Sequence, residues 1–208
     1  MAPTFPEISI STERLVLRPF DDGDVPSLVE MMNDEVVRAW TSVPVPYTEE
    51  HARTWVRKTA PRERAEGRGT AFAVSEFLTD RLVGFVQLTG ADWRQRTTQA
   101  AYVPAPWARG EGYAPEALLA VAQWLFEKMG FERLEIRTAA GNTASQRVAQ
   151  KVGFISEGVL RSAGIVRGTE EGGAGGETRT DLIVWSLLPE DLEGVTQLAS
   201  PGLGAGCP

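Results

Sequence analysis

The sequence predicts an α+β fold, a single domain around a mostly antiparallel sheet. Runs rich in strand formers, TAFAVSEF (70–77), RLVGFVQLTG (81–90) and TTQAAYV (97–103), follow one another closely. Only LTD separates the first two, which is the spacing of an antiparallel meander. Directly after them, Leu118, Val121, Ala122, Leu125 and Met129 make an apolar stripe at helical spacing. The 208 residues contain no internal repeat and are enough for one well-buried domain.

Each element can be justified in order. RLVLRPF (14–20) is a short strand stopped by Pro19 and the acidic turn DDGD. Residues 24–33 and 48–65 read as helices, with Asp24 and Thr48 as N-caps, and TSVPVPY between them is a proline-broken loop. After the meander comes a helix that Gly130 caps, then the strand RLEIRTA (133–139) and a short helix from Asn142 to Val152 that stops at Gly153. GFISEGVLRSAGIVRG and RTDLIVWSLL are two strands joined by TEEGGAGGET, too rich in glycine to pack and expected to be a mobile hairpin loop. Residues 1–9 then form an N-terminal arm, 10–190 the domain, and 191–208 a flexible tail with little to bury.

Composition removes several function classes. Hydrophobic residues at 42% and charged ones at 24% are ordinary for a soluble globular protein. A net charge of −7 lacks the basic face expected of a nucleic-acid binder. No run approaches the length of a membrane span, and the N-terminus lacks the pattern of a signal peptide, so a cytoplasmic location is expected. The single cysteine, Cys207, allows neither an internal disulfide nor a cysteine-based metal cluster. The only histidine, His51, lies in what reads as a solvated helix face.

The stretch WARGEGYAPEA (107–117) concentrates backbone freedom just before the long helix. A helix starting near Gly112 leaves its first N–H groups without internal partners, and its dipole adds positive charge there. Gly110 and Gly112 clear the backbone for a close anion, Arg109 adds a forked cation, and Pro115 fits the first turn. Pyrophosphate suits such a turn; a glycine turn without any ligand is the plainer alternative. The P-loop reading fails because no Lys-Ser or Lys-Thr follows, and a dinucleotide fingerprint is weakened by proline at its third glycine. Pro104 and Pro106 cannot donate to a sheet ladder, so the strand ending at Val103 must part from its neighbour. The opened edge could pair with the amides of a slender ligand such as pantetheine.

RGEGYA resembles the acyl-CoA signature of the GNAT acetyltransferase superfamily, and the chain is most similar to its RimJ/RimL-like branch. TERLVLRPFDDGD, YAPEAL, NTASQRVAQKVGFISEGVLR and DLIVWSLL occur in that branch's order across residues 10–190. The resemblance implies a GNAT-like mixed sheet with a splayed central strand flanked by helices. It implies acetyl-CoA, or another acyl-CoA, as cosubstrate, with no metal, and direct acyl transfer to a primary amine of a protein N-terminus or a small molecule.

It also assigns residues. Backbone N–H groups at Arg109, Gly110, Glu111, Gly112, Tyr113 and Ala114 would hold the CoA pyrophosphate, assisted by the Arg109 side chain. A free amide near Val103 would polarise the thioester carbonyl and stabilise the oxyanion. Asn142 and Ser145, three residues apart on one helix face, would contact the pantetheine arm, with Ser145 protonating the departing thiolate or only hydrogen-bonding to it. The family's tyrosine acid falls on Ala149 here and one glutamate base falls on Gly164, so both are missing. Glu157, Asp92 and Tyr102 remain open as the base. Arg147 and Lys151 are candidates for the 3′-phosphate. Trp93, Trp40 and Tyr102 are the substrate-pocket candidates, with core packing the alternative for the tryptophans. A longer acyl donor such as succinyl-CoA, a degenerate CoA-binding module, and a purely structural domain are the competing readings. A monomer and a homodimer are both compatible with the residues.

Overall fold

The structure, a computed structural model, describes residues 3–167 and 176–192. Cys207, the tail past residue 192 and most of the glycine-rich hairpin loop lie outside the described residues.

Among the described residues eight strands make one mixed sheet: β1 (Ile10–Ser11), β2 (Leu15–Arg18), β3 (Thr70–Glu76), β4 (Leu82–Asp92), β5 (Thr97–Pro104), β6 (Arg133–Ala139), β7 (Ile155–Val166) and β8 (Thr178–Leu187). Their order is β1-β2-β3-β4-β5-β6-β8-β7, antiparallel throughout except where β5 meets β6. The helices are α1 (Val25–Met32), α2 (Glu35–Trp40), α3 (Glu49–Thr54), α4 (Ala60–Ala65), α5 (Tyr113–Glu127) and α6 (Thr143–Val152). The α5 stripe read from the sequence is the one that packs: Leu118, Val121, Ala122 and Leu125 are fully buried with Leu15, Leu17, Leu88 and Leu134 of the sheet.

The splayed strand is present, but it parts from its neighbour earlier than its prolines require. The β4–β5 ladder runs as far as Gly84↔Pro104, but β5 and β6 pair only at Thr97↔Arg133, Thr98↔Leu134 and Gln99↔Glu135. Past Gln99 the two strands diverge, well before Pro104; the prolines prevent the ladder from resuming beyond Val103 and do not start the gap.

Three local readings need correction. Asp24 is not a side-chain cap, because a 3-10 turn at Asp22–Asp24 precedes α1 and moves the cap back to Asp21. The buried Asp24 carboxylate instead accepts from Arg18 twice, at 2.7 and 2.9 Å, and from the Asp21 N–H at 3.0 Å. The stretch 48–65 is helical from its Thr48 cap but is interrupted by a π-turn at Trp55–Thr59, just ahead of Pro61. Pro61 has no N–H to continue a regular ladder. Helix α2 is additional: Asp34 caps it by accepting from the Val37 N–H at 3.1 Å. His51 lies on the exposed face of α3, where it closes the capping box with Thr48.

Candidate active site

Gly110 and Gly112 both adopt left-handed backbone, with φ of +86° and +80°, so a side chain at either would strain the turn. The space above them is open. A Cβ at Gly110 would meet nothing within 4 Å, and one at Gly112 would meet only the Arg14 guanidinium, at 3.7 Å. Among the described residues no protein acceptor takes the N–H groups of residues 110–114. These donors, set on the positive end of the 15-residue α5, fit an anion.

The turn is fixed from its other side. Arg14 donates to the Glu111 carbonyl at 3.2 Å, forks onto Glu116 at 2.8 and 2.5 Å, and lies over the Tyr113 ring. The Tyr113 hydroxyl donates to Glu76 at 2.6 Å, which leaves the backbone as this residue's contribution to the turn. The Arg109 guanidinium is paired with the carboxylate of Asp34, the α2 cap. Burial pushes the Asp34 carboxyl up, and the bonds from Arg109 and the helix N–H more than offset it, so its pKa stays below the ordinary value.

A cleft of about 350 Å³ runs from this turn between the open edge of β5 and the start of α6. Tyr102, Val103, Asn142, Ser145 and Trp40 line it together with the turn itself. Its charged lining is cationic among the described residues: Arg109, Arg147 and Lys151, with no carboxylate. Trp40 reaches it from α2 and packs over Gly141, whose Cβ would lie 3.3 Å from the ring.

At the centre of the cleft, the Asn142 side-chain oxygen accepts from the Ser145 N–H at 3.0 Å, which caps α6. The Tyr102 hydroxyl donates to Ser145 Oγ at 2.9 Å and to the Ser145 carbonyl at 3.1 Å. Burial pushes the Tyr102 phenol up to about 12, against a smaller lowering effect of Ser145.

The free amide expected at Val103 falls one residue earlier. The Ala105 N–H bonds to Val83 O at 2.9 Å in line with the β4–β5 register, and the Arg133 N–H reaches Arg96 O on the opposite side. Backbone groups alternate along a strand, so Val103 is turned toward β4 and Tyr102 toward the gap left by β6. Tyr102 therefore supplies the open N–H.

Several candidates are elsewhere. Glu157, on β7, is not in the cleft; Arg133 grips its carboxylate at 2.7 and 2.5 Å and Ser186 donates to it at 2.8 Å. Arg133, then Ser186, hold its pKa down to about 2, the opposite of what a base requires. Asp92 accepts from the N–H groups of Arg94 and Gln95 in the β4–β5 turn, and it too is outside the cleft. Trp93 is a correction as well. Its ring packs between Phe5 and Phe131, with both centroids at 4.9 Å, and its N–H donates to Gly67 O at 2.7 Å. It closes the core at the opposite end of the sheet. Asp34 and the wall of Val36 and Val37 were missed, although Asp34-Glu35-Val36-Val37 carries the signature of a helix start.

The Acetyltransferase (GNAT) domain family matches residues 14–155. The uncharacterized N-acetyltransferase YnaD of Bacillus subtilis (strain 168) is 29% identical over 161 residues, covering 77% of this chain and 90% of that protein. The uncharacterized N-acetyltransferase p20 of Bacillus licheniformis is 24% identical over 187 residues, covering 89% and 99%. Among solved structures, Mycobacterium smegmatis RimJ in complex with CoA-disulfide superposes with a TM-score of 0.76 at 20% identity, covering 89% of this chain and 90% of that one. Spermidine N-acetyltransferase from Vibrio cholerae, in complex with CoA and spermine, gives 0.71 at 17% identity, covering 86% and 98%. These two likenesses are of fold. Among the described residues no helix is long and apolar enough to cross a membrane.

Proposed function

The chain belongs to the GNAT acetyltransferase family and is an N-acetyltransferase; from that premise we propose that it transfers the acetyl group of acetyl-CoA directly to a primary amine, on a protein N-terminus or a small molecule. One observation carries the reading: the left-handed Gly110–Gly112 turn presents N–H groups that have no partner among the described residues, at the α5 N-terminus and the mouth of the cleft opened by β5. When bound, acetyl-CoA supplies an acyl group activated as a thioester.

In this reading, the N–H groups of residues 110–114 bind the pyrophosphate. Arg109 joins them by exchanging the Asp34 carboxylate for phosphate. Arg147 and Lys151, on the exposed side of the cleft, take the remaining phosphate. The Asn142 amide nitrogen, which has no protein partner among the described residues, and the edge of β5 at Tyr102 hold the pantetheine arm. The Tyr102 N–H faces the acyl carbonyl; a preorganised donor of this kind contributes about 3 kcal/mol to transition-state stabilisation. Ser145 serves the departing sulfur. Val36 and Trp40 form the apolar wall on the acceptor side.

Calorimetric titration with acetyl-CoA tests the reading. The wild type binds, and the Arg109→Ala/Gly112→Glu double variant, folded by circular dichroism, loses binding by about a hundredfold or more, as two removed phosphate contacts would require. A folded wild type that does not bind acetyl-CoA overturns the proposal.

A further inference from the structure

We propose that Tyr102 is the positioning residue for Ser145: its phenol donates to Ser145 Oγ and so directs the serine's own hydrogen into the cleft, toward the sulfur of bound CoA. The inference rests on the reading above and adds a role that neither residue carries alone. A serine hydroxyl has one hydrogen and can donate in only one direction at a time. On a helix, that hydrogen commonly returns to a backbone carbonyl one turn back, where it is of no use to a ligand. Ser145 sits in the first turn of α6, and among the described residues its hydroxyl donates to no protein group.

The Tyr102 bond explains this. Of the two hydroxyls the phenol is the more acidic, so it is the donor, its one hydrogen shared between Ser145 Oγ at 2.9 Å and the Ser145 carbonyl at 3.1 Å, with Oγ an acceptor. With one lone pair of Oγ occupied from the β5 side, the remaining hydrogen is left to point at the cleft that both residues line. The tyrosine is held for the task. It is half-buried on the splayed strand, and that burial keeps it protonated through the neutral range, so it donates at every working pH. No proton leaves Tyr102 in this arrangement. The serine O–H donates to the sulfur as its bond to the acyl carbon breaks and its negative charge develops, and the proton that finally neutralises the thiolate is the one lost by the attacking amine. The phenol thus lines the cleft from β5, whereas Ala149 of α6 is fully buried.

The test reads the thiol of bound CoA, independently of turnover. Ultraviolet absorbance of the thiolate is followed against pH for CoA bound to the wild type, Tyr102→Phe, Ser145→Ala and the double variant. A donor aimed at the sulfur stabilises the thiolate, so the bound thiol of the wild type titrates below that of either variant, by about one pH unit for one lost hydrogen bond. Because Tyr102 acts through Ser145, the double variant matches Ser145→Ala alone. Tyr102→Phe keeps the ring and should still bind CoA, which calorimetry checks. A Tyr102→Phe titration identical to the wild type overturns the inference while leaving the acyltransferase reading intact, as does a double variant whose shift is the sum of the two. Failure of the wild type to bind CoA at all removes the reading and the inference together.

Discussion

Glu157, Asp92 and Tyr102 are the three candidate bases that residue type offers, and surroundings separate Glu157 from Tyr102. Arg133 and Ser186 satisfy the Glu157 carboxylate from both sides, which keeps it ionised and structural. Because its folded pKa, about 2, is below the ordinary 4.5, its contribution to stability is complete above pH 4.5 and is lost as pH falls toward 2. Glu157→Gln is therefore less stable than wild type at neutral pH, and the two converge by about pH 2. Urea unfolding at a series of pH values checks this; a constant difference down to pH 2 would assign the loss to packing. Residue types in sequence state what a side chain can do, and here the glycines, Arg109, Asn142 and Ser145 all reach one cleft. Sequence does not state which partner claims a side chain first. Glu157 was claimed by an arginine 24 positions away, and Trp93 by the aromatic ring of Phe5 at the start of the chain.

At the scale of elements, the Arg109–Asp34 pair joins the glycine turn to α2, the helix that carries Val36 and Trp40 into the cleft. Asp34 is both the N-cap of α2 and, in the proposed function, a competitor of phosphate for Arg109. Asp34→Asn separates the two roles, because asparagine caps as well as aspartate but brings no charge. Acetyl-CoA binding to Asp34→Asn should be about fivefold tighter than to wild type, the worth of one partly exposed ion pair, as read by calorimetry. Unchanged affinity would mean that Arg109 keeps Asp34 in the bound state. Strand and helix identities were mostly legible because their periodicities are local. Asp24 shows the limit: one 3-10 turn shifted the cap to Asp21 and freed Asp24 for Arg18.

Across the whole molecule, the segment before β1 acts as a fastener. Phe5 is only 3% exposed and packs against Trp93, Trp124 and Phe131, uniting the leading segment with α5 and the β4–β5 turn. Phe5→Ala should cost about 3 kcal/mol of unfolding free energy, measured by urea denaturation, with acetyl-CoA affinity unchanged because the cleft is at the opposite end. A loss well below that would show that the cluster closes without it. The parting of β5 from β6 has a further, mechanical consequence. The eight strands are two panels, β1–β5 and β6–β8, joined along a spine only three residue pairs long. From Gln99 at the spine to Tyr102 is about 10 Å of extended chain. At the open end the panels part like the covers of a book, and what holds them at that width is not a ladder but the core beneath, where Leu118 and Val121 of α5 are buried with Leu88 of one panel and Leu134 of the other.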